Sequence, residues 1–192
     1  PNLILTVPLI LEKIYKKMIL PQLSKTTMKV ALNIPLLDSR IYAQIRKKLV
    51  DAFGGRFREV IVGGAAMNEE VTNFLYKIKF PFTIGYGMTE CGPLISYDHN
   101  NEYVPGSCGQ ILKGIMKVRI DSEDPYNKVG EIQVSGENVM KGYYKNDEAT
   151  QNVFTEDGWL RTGDLGTIDH DNRIFTVSYT HLRAHETLSD LV

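Results

Sequence analysis

The sequence has few of the residues that would indicate a metal centre, a disulfide framework or a membrane segment. It contains only two cysteines, Cys91 and Cys108, and they do not form a CxxC pair. This pattern favours neither a zinc site nor a disulfide, and it is typical of a reducing cytosol. The apolar stretch of residues 3–11 is interrupted by Pro8, so it falls short of the about 20 residues that a membrane-spanning helix needs.

Neither sign of charge is in excess. The chain has 22 basic and 23 acidic residues and a formal net charge of −1, so bulk electrostatics gives no reason to expect a nucleic-acid partner. No basic segment precedes an apolar run, so we expect no signal peptide, and Pro1 indicates a natural start further upstream. We expect a cytoplasmic protein; for the lysine-bearing first helix, a solvated face is favoured over peripheral contact with the inner membrane.

The hydrophobic pattern in the first half of the chain predicts an α/β fold. With 43% hydrophobic residues, the chain can bury a sizeable core. Helical spacing predicts one helix over residues 9–20 and a second that begins at the N-cap Asp38 and ends at Gly54.

A strand-helix-strand unit follows these helices. Residues 57–62 and 82–86 are predicted strands, and the helix between them, over residues 68–79, begins at the N-cap Asn68. Since a crossover helix of this length joins parallel strands, the glycine-rich segments after both strands should meet at one edge of the sheet. Ligands bind at that edge in open α/β sheets.

The pattern changes to short alternating strands from about residue 107, which predicts a small β-rich subdomain. The strands are expected at 108–112, 116–121, 131–135 and 139–144, with further strands starting at 159–161. Asn146 is the predicted cap of a short helix that reaches residue 154, and the polar residues 169–172 form a predicted hairpin turn.

Three segments carry side chains suited to nucleotide chemistry, although each alone is also compatible with a simple turn. The first, GGAA at residues 63–66, removes side-chain bulk after a strand, which allows a flat ring or an acyl chain to lie against the backbone. The second, GYGMTE at residues 85–90, combines an aromatic ring with hydroxyl and carboxylate oxygens that suit phosphate and Mg²⁺. The third, WLRTGDLG at residues 159–166, holds Asp164 between glycines, where it can accept hydrogen bonds from two ribose hydroxyls.

These segments together resemble the adenylate-forming superfamily, which includes acyl-CoA synthetases, luciferases and the adenylation domains of peptide synthetases. GYGMTE resembles its YGxTE motif, WLRTGD its (Y/W)xxTGD motif, and GEIQVSGENVMKGYYKN at residues 130–146 its GExxxxGxxxxxGY segment. The resemblance covers roughly residues 1–175. It implies part of the large N-terminal domain of such an enzyme, with a parallel-sheet α/β portion over 1–106 and a β-rich subdomain over 107–176.

The resemblance also implies a role for each matching residue. Tyr86 would pack on adenine and Asp164 would bind the ribose. Thr89 would lie by the phosphates and Glu90 would bind Mg²⁺, which makes these two the predicted catalytic residues. Gly64, Ala65 and Ala66 match the family's small-residue segment that lines the adenine and acyl pocket. Gly85 and Gly87, in the GYGMTE motif, complete the implied nucleotide-binding set. Residues 130–146 are interpreted as structural, with no side chain on the substrate.

Within the superfamily, the helix over residues 40–48 and the sequences around VGGAAMNEEV and GYGMTECGPLISY are similar to those of bacterial long-chain fatty-acid–CoA ligases. This implies a ligase that joins a fatty acid to coenzyme A, with ATP and Mg²⁺, through an acyl-adenylate. Two alternatives stay open: an adenylating ligase for an aryl, short-chain or amino acid, and a nucleotide-binding module without turnover. The family's phosphate loop and C-terminal lysine are not in this sequence, so we expect the 192-residue chain alone to be inactive.

The resemblance ends before the C-terminus. Ser178 and Tyr179 stand where family members have a Gly-Arg step, and the sequence from about residue 177 to 192 looks like a translated sequencing adapter. We interpret these residues as an artefactual tail. His181 and His185, spaced four residues apart, are therefore not taken as a metal site.

Overall fold

The structure is a computed structural model that describes residues 2–178. Tyr179, His181 and His185 lie outside the described residues, as does almost all of the proposed tail. The chain divides into two compact units, with residues 2–63 and 67–83 in the first and residues 64–66 and 84–178 in the second. This division falls earlier in the chain than the boundary predicted at residue 107, and that boundary stays a prediction.

The first unit contains a three-stranded sheet with the strands in the order β1-β2-β3. The strands are β1 (Leu3–Thr6), β2 (Glu59–Val62) and β3 (Phe82–Ile84). β1 runs parallel to β2, with Ile4 opposite Val60. The sequence pattern predicted β2 and β3 but not β1, because a four-residue strand is too short to establish an alternating pattern before Pro8.

Five helices belong to the first unit. They are α1 (Pro8–Ile14), α2 (Leu20–Leu23), α3 (Thr26–Leu32), α4 (Leu37–Ala52) and α5 (Glu69–Lys77). A π-helical stretch, Tyr15–Ile19, links α1 to α2 without a break, so the predicted first helix is longer than expected.

The two helix caps predicted in the first unit had different outcomes. Asn68 caps α5 as predicted, because its side chain accepts a hydrogen bond from the backbone N–H of Val71 at 3.3 Å. Asp38 does not cap α4. The cap residue is Leu36, whose φ of 72° turns the chain into the helix, and Asp38 lies within the first turn. An acidic residue there is still favourable, because it faces the positive end of the helix dipole.

The second unit is built on an antiparallel sheet with the order β4-β5-β6-β7. The strands are β4 (Met116–Asp121), β5 (Gly130–Gly136), β6 (Leu160–Ile168) and β7 (Ile174–Ser178). A short helix, α6 (Asp147–Val153), begins after Asn146, whose side chain accepts a hydrogen bond from Ala149 as predicted. The α/β fold class is thus confirmed, with a parallel sheet followed by an antiparallel one.

Two predicted strands are not strands in the structure. Residues 108–112 make only single bridges, from Gln110 to Arg173 and from Ile111 to Ser96. Residues 139–144 form no ladder, because the backbone N–H of Met140 donates instead to the Glu90 carbonyl at 2.7 Å. Residues 108–109 are bonded to the start of β7, since the Cys108 N–H donates to the Ile174 carbonyl at 2.7 Å and the Ile174 N–H donates to the Gly109 carbonyl at 3.1 Å. The alternating pattern at residues 139–144 comes from packing against a loop and not from pairing within a sheet.

The predicted turn at residues 169–172 is confirmed between β6 and β7. The Asp169 carboxylate accepts hydrogen bonds from the backbone N–H groups of Asp171 and Arg173, at 2.9 and 2.8 Å. Asn172 takes a left-handed conformation with φ 59°, which asparagine tolerates better than most residues. Over residues 2–178, none of the helices has the length and apolar character needed to cross a bilayer.

Candidate functional site

The loop after β3 and the strand β6 meet through one buried hydrogen bond. Tyr86 lies two residues beyond β3, and its backbone is bonded in both directions to Ser96, at 3.1 and 3.0 Å. Its hydroxyl donates to the Oδ2 atom of Asp164 at 2.9 Å. Both residues are only 2% exposed. The structure thus brings two residues with predicted nucleotide contacts, 78 positions apart in the chain, into direct contact.

The structure explains the TGD motif as a bulge in β6. Glu131 of β5 lies opposite Leu165 and Gln133 lies opposite Arg161, so residues 162–164 together face the single residue Ile132. A bulge of this kind bends the strand and changes the direction of a side chain.

The three bulge residues have distinct structural roles. Thr162 Oγ1 donates to the Ile132 carbonyl at 2.7 Å and accepts the backbone N–H of Asp164 at 3.1 Å. Gly163 has φ 72°, a conformation that costs other residues about 1–2 kcal/mol. The bulge thereby holds Asp164 on the buried face of the strand, within reach of the Tyr86 hydroxyl.

Glycine is required at position 87 because the backbone of Pro93 and Leu94 passes close to its Cα atom. A Cβ atom at this position would overlap the Pro93 carbonyl oxygen and come within 2.9 Å of the Leu94 Cα atom. Gly87 was predicted only as a member of the nucleotide-binding set. The structure shows a further reason for glycine here, because the segment after the motif folds back over it.

The turn that carries the predicted catalytic residues is a single 3₁₀ turn, Thr89–Cys91. Thr89 is exposed and Glu90 is half-buried. Glu90 is held by a segment distant in sequence. Its carbonyl oxygen accepts a hydrogen bond from the Met140 N–H at 2.7 Å, and its Oε1 atom accepts a hydrogen bond from the Tyr143 hydroxyl at 2.8 Å. Burial, followed by the bond to Glu90, raises the pKa of Tyr143 to about 12. The hydroxyl therefore stays protonated and donates at neutral pH.

Asn138 holds the same turn from the other side. Its amide nitrogen donates to the carbonyls of Cys91 and Leu94, at 2.6 and 3.0 Å. Sequence reasoning missed Asn138 and Tyr143, because residues 130–146 were interpreted as structural only. The signal was present, since both residues lie within the GExxxxGxxxxxGY pattern, but the pattern alone does not say what they contact.

The small residues after β2 fall in the same compact unit as Tyr86 and Asp164. Gly64, Ala65 and Ala66 belong to the second compact unit, although the residues on both sides belong to the first. Gly64 is exposed and has φ 84°, so only glycine takes this conformation without strain. Gly85 is buried at the other motif.

The residues fit a magnesium ion that arrives with a nucleotide better than a resident metal. Within residues 2–178, no group of three or more His, Cys, Asp or Glu side chains is placed to hold a metal ion. Mg²⁺ is commonly held by one or two carboxylates together with substrate phosphates and water. Glu90 can supply one such carboxylate.

Cys91, next to Glu90, is not a candidate nucleophile. It is completely buried, and burial, followed by the nearby Glu90 charge, raises the pKa of its thiol to about 12. The thiolate, which is the reactive form, is therefore absent at neutral pH.

Comparison with known proteins identifies the family. A family model described as AMP-binding enzyme matches residues 1–144. The chain belongs to the AMP-binding enzyme family. The 4-coumarate-CoA ligase 1 of Narcissus pseudonarcissus is 36% identical over 156 residues, which cover 74% of the chain and 28% of the relative. The 4-coumarate-CoA ligase 1 of Glycine max is 38% identical over 127 residues, which cover 60% of the chain and 43% of the relative.

Solved structures agree with this assignment of the fold. ATP-bound MatB from Rhodopseudomonas palustris superposes with a TM-score of 0.66 at 25% identity, covering 93% of the chain and 31% of that protein. The o-succinylbenzoate CoA synthetase of Bacillus subtilis, with ATP and magnesium, gives 0.63 at 22% identity over 94% of the chain and 32% of that protein. The chain thus spans about a third of the length of each of these two solved structures.

Proposed function

We propose that this chain is the nucleotide-binding part of a longer ligase that joins a carboxylic acid to coenzyme A through an acyl-adenylate. In the first step the acid's carboxylate attacks the α-phosphorus of ATP and pyrophosphate leaves. In the second, the thiol of coenzyme A attacks the acyl carbon and AMP leaves. The observation that carries the proposal is the bond between Tyr86 and Asp164, with Glu90 four residues after Tyr86 in the same loop.

The roles proposed for the chain's own residues are positional and electrostatic. Asp164 is assigned to the ribose and Tyr86 to adenine, with the Tyr86 hydroxyl holding the Asp164 carboxylate in place. Both roles require the nucleotide to reach side chains that are only 2% exposed in this structure. Thr89, exposed at the 3₁₀ turn, contacts the phosphates. A fixed nucleotide brings the α-phosphorus into line with the attacking carboxylate.

Glu90 is the proposed magnesium ligand. A magnesium ion held there would neutralise the negative charge that develops on the leaving pyrophosphate. Gly64, Ala65, Ala66, Gly85 and Gly87 are the proposed small residues around the adenine and the acyl group. We place the reaction in the cytoplasm, because the cysteine pattern is typical of a reducing compartment.

Two classes of acid are candidates. The resemblance around residues 40–48 and VGGAAMNEEV supports a long-chain fatty acid. The relatives that are 36–38% identical are named 4-coumarate-CoA ligases, which supports an aromatic acid of that kind. The small residues at 64–66 suit a flat ring or an acyl chain equally, so they do not separate the two classes.

The decisive experiment is ATP–pyrophosphate exchange by the complete protein from which the chain derives, with palmitate and 4-coumarate compared as acids. Exchange with one acid names the substrate class. Exchange with neither, nor with other acids of graded length, contradicts the ligase proposal and favours a nucleotide-binding module. For the 192-residue chain alone we expect nucleotide binding without exchange.

Substitution of Glu90 tests the proposed metal role. Glu90→Gln should lower the exchange rate about 100-fold or more, since loss of a group that merely holds a metal ligand in place already costs metal sites about 10–100-fold. Glu137→Gln is the matched control, because Glu137 is an exposed carboxylate of the same unit. Equal rates in the two variants would remove Glu90 from the proposed site.

A further inference from the structure

Residues 138–143 form hydrogen bonds with both the backbone and the side chain of the turn that contains Glu90. Met140 N–H donates to the Glu90 carbonyl, and Asn138 donates to the carbonyls of Cys91 and Leu94. The Tyr143 hydroxyl donates to the Glu90 carboxylate itself, at 2.8 Å. The Met140 and Asn138 bonds hold backbone carbonyls, whereas the Tyr143 bond bears on the orientation of the carboxylate.

Tyr143 is itself held by the helix α6. Its backbone N–H donates to Thr150 Oγ1 at 2.9 Å, and Thr150 Oγ1 donates to the Asn146 carbonyl at 2.8 Å. Gly142 makes this approach feasible, because a Cβ at this position would lie 2.7 Å from Thr150 Cγ2. A continuous set of contacts therefore runs from α6 through Thr150 and Tyr143 to the Glu90 carboxylate.

We propose that Tyr143 is a positioning residue that holds the Glu90 carboxylate in the orientation in which it meets the magnesium ion of bound Mg·ATP. The inference rests on the proposed function, because it assumes that Glu90 is the metal ligand. It assigns a role in the site to residues 130–146, which the sequence had indicated as structural.

The physical reason lies in the freedom of a glutamate side chain. Glutamate has three rotatable bonds, and a half-buried carboxylate samples several orientations unless a hydrogen bond selects one. Carboxylates that bind metals are commonly held in place by such a hydrogen bond, and loss of the hydrogen-bonding partner lowers metal affinity about 10–100-fold. The Tyr143 hydroxyl is placed to supply such a hydrogen bond, because it lies 2.8 Å from the Glu90 Oε1 atom and donates to it.

Calorimetric titration of the complete protein with ATP, without any acid substrate, tests the proposal apart from turnover. The dissociation constant is measured once with excess Mg²⁺ and once with a chelator, and the ratio of the two gives the magnesium contribution. Tyr143→Phe should reduce this ratio about 10-fold and leave the affinity for metal-free ATP unchanged. Tyr144→Phe is the matched control, because the neighbouring tyrosine is 88% exposed.

Two further variants separate positioning from folding. Thr150→Val removes the acceptor of the Tyr143 N–H and should shift the ratio in the same direction by a smaller factor. Glu90→Gln should abolish the magnesium contribution, and Tyr143→Phe added to it should have no further effect, because the two residues act as one unit.

Several results would overturn the inference. One is a ratio for Tyr143→Phe within twofold of the wild type. Another is an equal loss of affinity with and without magnesium, which would indicate a structural role. If the wild-type protein binds ATP no better with magnesium than without it, the proposed metal role of Glu90 fails first, and this inference fails with it.

Discussion

The two compact units use the same chemical pair for different purposes. In the first unit the Tyr15 hydroxyl donates to the Glu70 carboxylate, and in the second the Tyr86 hydroxyl donates to Asp164, both at 2.9 Å. Glu70 is exposed, whereas Asp164 is 2% exposed. Because water competes for the first pair more than for the second, bonds of equal length tie helices together in one unit and fix the proposed ribose-binding carboxylate in the other.

The two units also differ in how many polar side chains they bury. The first unit buries Glu59, Thr72 and Thr83. The described part of the second unit buries twice as many: Ser96, Asp98, Ser107, Gln133, Thr162 and Asp164. A buried polar group must find a partner of fixed geometry. The second unit is therefore where precise positions for chemistry arise.

Glycine substitutions should give the largest difference between the units. Gly87→Ala in the second unit places a Cβ against the backbone of Pro93 and Leu94, so we expect a loss of about 3 kcal/mol or more in unfolding free energy. Gly54→Ala in the first unit meets no atom within 4 Å and suffers only from φ 92°, which should cost about 1–2 kcal/mol. Urea unfolding of both variants measures the difference. Equal losses would mean that space at Gly87 is not limiting.

Removal of one tyrosine hydroxyl from each unit should give a smaller effect. Tyr86→Phe leaves the buried Asp164 carboxylate without this donor, which should cost about 1.5–3 kcal/mol, as expected for hydrogen bonds to charged groups. Tyr15→Phe leaves Glu70 in water and should cost about 1 kcal/mol or less. Denaturant midpoints of the two variants measure the gap. A larger loss for Tyr15→Phe would contradict the importance of burial.

The smallest expected effect is an alkaline loss of stability shared by the two units. The pKa of Tyr15, in the first unit, is raised to about 12, mainly by burial and then by Glu70, and that of Tyr143, in the second, is also raised to about 12. The unfolded chain loses these protons near pH 10 and the folded chain near pH 12, so stability should fall as the pH rises between these values.

Urea unfolding at about pH 8 and about pH 11 checks this dependence, since the two values lie on either side of the pKa of a free tyrosine. Tyr15→Phe and Tyr143→Phe should each weaken the fall in stability, and Tyr144→Phe should leave it unchanged, because that residue is exposed. A wild-type protein of equal stability at both pH values would show that neither hydroxyl contributes.

Parts of the fold with a strong local signal could be predicted from the sequence. The helices α4, α5 and α6, the strands β2 and β3 and the turn before β7 all follow from side-chain periodicity, capping residues and turn residues. β1 could not be predicted, because four residues form a strand only when β2 lies beside them. Residues 139–144 were predicted wrongly as a strand, since their alternation comes from packing against another loop.

The chemical groups of the candidate site were determined by the sequence alone. The motifs place an aromatic ring, a hydroxyl and a carboxylate in one loop and an aspartate between glycines in another, and those residue types suit the predicted phosphate, magnesium and ribose contacts. Only the tertiary structure decided which of these groups touch. Asp164 reaches Tyr86 because a bulge shifts the register of β6 against β5, and Tyr143 reaches Glu90 across 53 positions. Local patterns fix backbone conformation within a few residues, whereas register and loop packing depend on contacts between segments far apart in the chain.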